Sequence, residues 1–110
     1  MRYVILRDDD TNALTPIECL EKLYRPFLDR GLAVNLAVIP EVATDARTPD
    51  GKPENFLFAK NGAQAARVPI CERPALVEYL QKNPGYYVVQ HGCHHDCFEF
   101  DRKHKEKRHE

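Results

Sequence analysis

The sequence has no excess of charge of one sign. Its 16 lysines and arginines face 17 aspartates and glutamates, a formal net charge of -1 with neutral histidines. That balance excludes a nucleic-acid binder driven by bulk positive charge and leaves only a local patch open. No apolar run approaches the roughly 20 residues that a membrane span needs. The one N-terminal apolar stretch, residues 3–6, is stopped by Arg7 and an acidic triplet and is too short for a signal-peptide core. With Met1 as the native start, a cytoplasmic protein without nucleic-acid or membrane partners is expected. No internal repeat and no second domain emerges. What is present, 110 residues of which 43% are apolar and 30% charged, suits one globular domain with one core.

Four cysteines, Cys19, Cys71, Cys93 and Cys97, allow two disulfides. Without an export signal, reduced thiols are expected. Cys19 stands in a helical pattern and reads as a small buried hydrophobe, whereas Cys93 and Cys97 stand among histidines.

Three short apolar runs punctuate the chain: residues 3–6, 33–39 and 86–90. Runs of this length rich in β-formers predict strands buried on both faces, as in a parallel sheet. Between the first two, Thr15 predicts an N-cap, Pro16 the first helical position and Glu18 the far side of a capping box. Ile17, Leu20, Leu23, Tyr24, Phe27 and Leu28 follow at helical spacing, and Gly31 marks the stop. A second helix is predicted over residues 74–83, ended by Asn83-Pro84-Gly85. Strand, helix and strand in succession make a right-handed βαβ unit. From residue 41 to about 65 no period emerges, and the turn-rich stretch 48–53 predicts a surface excursion, with Phe56-Leu57-Phe58 as its anchor. Beyond Phe100 the chain is almost wholly charged, with five basic and three acidic residues over 101–110. That segment reads as a solvated tail. The fold class expected is α/β, a parallel β-sheet with flanking helices.

Two polar clusters follow strand ends. Asp8-Asp9-Asp10 comes after the first apolar run, and His91-Gly92-Cys93-His94-His95 after the third. In a parallel sheet both fall on the C-terminal rim, where ligands bind in open α/β sheets and barrels. Alone, the carboxylates would read as a solvated turn. Three imidazoles on the neighbouring rim change that, because carboxylates that repel one another call for a compensating cation. Imidazole nitrogen with carboxylate oxygen suits zinc and similar divalent ions, and a site of two histidines and one carboxylate keeps positions open for water and substrate. A rival is a closed structural zinc site of His91, Cys93, His95 and Cys97. Its four ligands would lie within seven residues, whereas such sites draw ligand pairs from two separated segments.

Leu6-Arg7-Asp8-Asp9-Asp10 with His91-Gly92-Cys93-His94-His95 resembles the polysaccharide deacetylases, a group of carbohydrate esterases. Their first motif is an aspartate pair ending the first strand. Their second is a histidine, a small residue, two variable residues and a histidine, which His91, Gly92 and His95 fit. The run at residues 36–40 also resembles the strand between those motifs. The resemblance implies a distorted (β/α) barrel, of which this chain resembles the first half, and removal of acyl groups, usually N-acetyl, from a carbohydrate substrate. It implies Asp9 as the general base and Asp10, His91 and His95 as ligands of a divalent metal, most simply zinc. The triplet also admits the pair Asp8 and Asp9. The family's later motifs, which bring an arginine to orient the base and a histidine general acid, are not found after Phe100. Little turnover by the isolated chain and self-association through an open sheet edge are therefore expected. The competing class is a non-catalytic metal-binding or interaction module with a His/Cys zinc site.

Overall fold

A computed structural model of the protein describes residues 2–53, 66–95, 98–101 and 106–109, the last two stretches by their backbone. The elements run β1 (Leu6–Thr11), α1 (Ile17–Leu28), β2 (Val34–Val38), β3 (Glu41–Ala43), β4 (Arg67–Pro69), a 3-10 turn at Ile70–Glu72, α2 (Pro74–Lys82), β5 (Tyr86–Gln90), β6 (Phe98–Asp101) and β7 (Glu106–His109). The class is α/β. Strands β1, β2 and β5 form a parallel sheet in that order, with β2 in the centre. No helix among the described residues is long and apolar enough to cross a membrane.

Alternation explains the core. Val34, Leu36 and Val38 lie on one face of β2, and all three are buried with Leu20 of α1 and Leu76 of α2. Both helices therefore cover the same face of the sheet. Ile17, Tyr24 and Leu28 of α1 and Tyr79 and Leu80 of α2 complete that packing. Leu23, expected on the same apolar face, stays largely exposed, and Phe27 is about one third exposed. The C-terminus of α1 closes as expected. Gly31 takes φ +70°, its N–H reaches Leu28 O at 2.9 Å, and Leu32 N–H reaches Phe27 O at 3.0 Å.

Four expectations need correction. The first strand is not residues 3–6 with the acidic triplet behind it, since β1 starts at Leu6 and contains Asp8, Asp9 and Asp10. Tyr3, Val4 and Ile5 are exposed. As an edge strand, β1 carries Arg7 and Asp9 on the face away from the helices, and Asp8 on the near face meets the Tyr24 phenol of α1. Thr15 does not cap α1 either. Pro16 holds the cap position without a side-chain bond, and the Thr15 hydroxyl instead accepts Asn12 N–H at 2.9 Å. A local turn has taken the group that the helix would have used.

The third correction concerns the stretch expected to lack regular structure from residue 41: β3 opens it and pairs antiparallel with β4 just beyond it, Val42 opposite Val68. Ala13, Ile39, Val42 and Val68 make a second, smaller core beneath it. The turn expected at 48–53 is present, with Thr48 N–H donating to Lys52 O and Gly51 N–H to Thr48 O, both at 2.8 Å. Phe56, Leu57 and Phe58 lie outside the described residues. Finally, the end of the chain is not a featureless tail: the backbone of β6 pairs antiparallel with β7, Phe98 opposite His109.

Candidate metal centre

The register of β1 on β2 contains an irregularity at the acidic triplet. Asp8 stands opposite Leu36 and Thr11 opposite Val38, so Asp9 and Asp10 share the single place opposite Ala37. This is a bulge. Adjacent strand residues ordinarily point to opposite faces, so two neighbouring carboxylates share one only where a residue is inserted. Leu36 and Val38 face the helices, and Ala37 faces away from them. Asp9 and Asp10 thus fall on the uncovered face at the C-terminal rim. Asp10 takes the left-handed conformation, φ 71°, and Asn12 Nδ2 donates to Asp10 O at 2.7 Å to hold it. Asn12 is completely buried, and its Oδ1 accepts Leu14 N–H at 2.8 Å.

From the far side of the sheet, β5 delivers the histidines. His91 N–H donates to Val38 O at 2.8 Å, which extends the ladder one residue past the strand. Gly92 then turns at φ 60°, a conformation that favours glycine, and His95 follows at φ 57°. The ring of His95 is buried. His91 Nε2 lies 3.1 Å and His95 Nε2 3.2 Å from the same Asp10 Oδ1. Donor atoms of these three residues all fall within 4.8 Å of one another. Zinc bonds of about 2.0–2.1 Å in a tetrahedral arrangement place ligand atoms ~3.3 Å apart, so two imidazoles and one carboxylate at this spacing fit a divalent ion.

The other aspartates are occupied elsewhere. Asp8 hydrogen-bonds the Tyr24 phenol beneath α1; burial pushes that phenol well above its usual range, and Asp8 adds to the effect. The alternative pair Asp8 and Asp9 is therefore not the one brought to the histidines. Asp9 Oδ1 lies 2.6 Å from Arg7 Nε, and both side chains are about half exposed. An ion pair this open is worth at most about 1 kcal/mol and leaves Asp9 accessible to solvent.

His94 has a different role from its neighbours. Arg67 Nη1 lies 2.8 Å from His94 Nε2. A guanidinium only donates, so Nε2 accepts and the ring proton sits on Nδ1. That Nδ1–H faces Glu41 O at 3.0 Å and Glu41 Oε2 at 3.1 Å. Cys93 is exposed and takes no part in the three-residue cluster, and Cys97 lies outside the described residues. The His/Cys site expected as a rival thus has two of its ligands, His91 and His95, turned to Asp10.

Sequence reasoning missed three residues that build this site: Asn12, Glu41 and Arg67. Asn12 carried a signal, because an asparagine shortly after a strand reads as an Asx turn. Nothing local in the sequence marks Glu41 or Arg67. Compared with family models, with curated proteins and with solved structures, the chain matches none.

Proposed function

We propose that the chain belongs to a metal-dependent hydrolase that removes acyl groups, of the N-acetyl type, from a carbohydrate. Asp10, His91 and His95 would hold the divalent ion, zinc by the character of the donors. The convergence of both Nε2 atoms on Asp10 Oδ1 carries the metal part of this reading, and the resemblance of Asp9-Asp10 and His91-Gly92-Cys93-His94-His95 to the deacetylase motifs carries the substrate class. Backbone strain supports it. Among the described residues only Asp10 and His95 combine a side chain with positive φ, and both belong to the cluster. Such conformations cost about 1–3 kcal/mol each and gather at functional sites.

A divalent ion supplies Lewis-acid chemistry there, polarising an acyl carbonyl and making a water acidic enough to lose its proton near neutral pH. Asp9, next to Asp10 on the same rim and solvent-accessible, would be the carboxylate to take that proton. The strand order supports a barrel-like origin as well. Sequential parallel strands with both helices on one face leave the other face to be closed by further strands, as in the first half of a distorted (β/α) barrel. Tyr87 and Val89 of β5, both substantially exposed on that face, are what such closure would cover.

The test combines zinc titration with hydrolysis of an N-acetylated amino-sugar oligomer. One ion per chain is expected, lost in His91→Ala and His95→Ala, kept in Cys93→Ser and Asp9→Asn. Any hydrolysis should vanish in Asp9→Asn. Zinc retained in Asp10→Asn but lost on changing Cys93 and Cys97 together would replace this reading with the structural site.

A further inference from the structure

We infer that His94, the histidine that does not face the metal cluster, is a positioning residue that holds the ligand loop in shape. The inference rests on the metal reading above for its functional consequence. Residues 91–95 include two left-handed positions, Gly92 and His95, and only one of them is glycine. A loop of this kind keeps its conformation only where its surroundings over-determine it. Val38 and Asp10 hold the ends of the loop, and the β3–β4 hairpin holds its middle. Glu41 N–H donates to Cys93 O at 3.1 Å, and Ala43 N–H donates to His94 O at 3.0 Å. Two backbone hydrogen bonds thus tie consecutive carbonyls of the loop to the edge of β3.

The His94 side chain then ties the loop to both arms of that hairpin. Its Nδ1–H is directed at Glu41 on β3, and its Nε2 accepts from Arg67 on β4. Glu41 and Arg67 themselves sit near each other in the hairpin, Glu41 opposite Pro69 and Ala43 opposite Arg67. The imidazole is one link in a Glu41–His94–Arg67 chain that fixes its ring orientation. Adjacent in sequence, His95 inherits a fixed starting point for its own ring, which must reach Asp10. The arrangement has the logic of outer-shell groups that orient ligands without touching the ion, whose loss typically weakens metal binding by about 10–100-fold.

The experiment measures two things in wild type, His94→Ala, Arg67→Ala and Arg67→Lys. One is affinity for Co2+, read from the visible absorption of the bound ion, which also reports ligand geometry. The other is amide hydrogen exchange at Glu41 and Ala43 in metal-free protein. His94→Ala should weaken Co2+ binding by about tenfold or more, shift the absorption band, and lose protection at both amides, with helix content by circular dichroism unchanged. Arg67→Ala should do the same to a lesser degree, and Arg67→Lys should restore most of it. Combining Arg67→Ala with His94→Ala should add nothing beyond His94→Ala, since both break one chain. Wild-type affinity in His94→Ala overturns the positioning role, whether or not protection is lost. A wild-type protein that binds no Co2+ overturns the metal reading instead, while retained amide protection in His94→Ala overturns the clamp by itself.

Discussion

The two faces of the parallel sheet are made from the same three strands and do opposite work. On the covered face, Val34, Leu36 and Val38 are sealed beneath Leu20 and Leu76. On the other face, Arg7 and Asp9 meet solvent, and Tyr87 and Val89 are 59% and 45% exposed. Hydrophobic burial is concentrated on the first, at about 1.5–3 kcal/mol for each large side chain removed from water. Polar, strained and accessible groups are concentrated on the second. Stability and chemistry are thus separated by the thickness of one backbone, and changes to one face should leave the other largely intact.

The largest break in that comparison should come from Leu36→Ala, which opens a cavity between both helices and the central strand. A loss of about 2–5 kcal/mol is expected, read as a fall in the urea midpoint. Val89→Ala, on the open face one residue along the same sheet, should cost well under 1 kcal/mol. Equal losses would mean that the open face is a second core. Next in size is Asp10→Gly, which removes a ligand and also relieves a left-handed aspartate. Zinc affinity should fall by about a hundredfold, while the metal-free protein should be as stable as wild type or gain up to about 1 kcal/mol. A large loss of stability without metal would place Asp10 among the structural residues.

The smallest effect concerns pH. Tyr24, Tyr79 and Tyr86 all lie on the covered side, and burial raises the phenol of each. The folded state therefore keeps these protons to higher pH than the unfolded chain, whose tyrosines titrate near 10. Their contribution is fully present below that value and is lost as pH rises past it. Urea midpoints measured from pH 9 to 11 should fall, and Tyr24→Phe should flatten the fall. A flat profile in wild type would contradict the burial of these phenols.

The covered face was legible in the sequence because burial writes a period. Residues 86–90 match β5, residues 33–39 contain β2, and Gly31 ends α1 where a left-handed stop was needed. The rim was legible as chemistry but not as geometry. Asp10, His91 and His95 could be named from residue type and strand-end position, and the structure brings them together. The bulge that re-aims Asp10 was invisible, since an inserted residue leaves composition and hydropathy unchanged. The β3–β4 hairpin was missed for a related reason. Its strands are three residues each and 23 positions separate their facing ends, too short and too distant for any period to show. Residues 3–5 misled in the opposite sense, apolar enough for a strand yet exposed, because pairing with β2 rather than hydropathy decides where β1 begins.

The inserted residue in β1 also bears on how the chain finds its alignment while folding. The alternative to the observed pairing of β1 on β2 is a regular one that differs by one position after Asp8. Without the insertion, Asp10 would stand opposite Val38, turned into the apolar layer beneath the helices. An unpaired carboxylate there costs several kcal/mol, far more than the left-handed backbone that avoids it. The cost of burying Asp10 thus favours the bulged pairing over the regular one. The bulged pairing is also the one that presents Asp10 to His91 and His95.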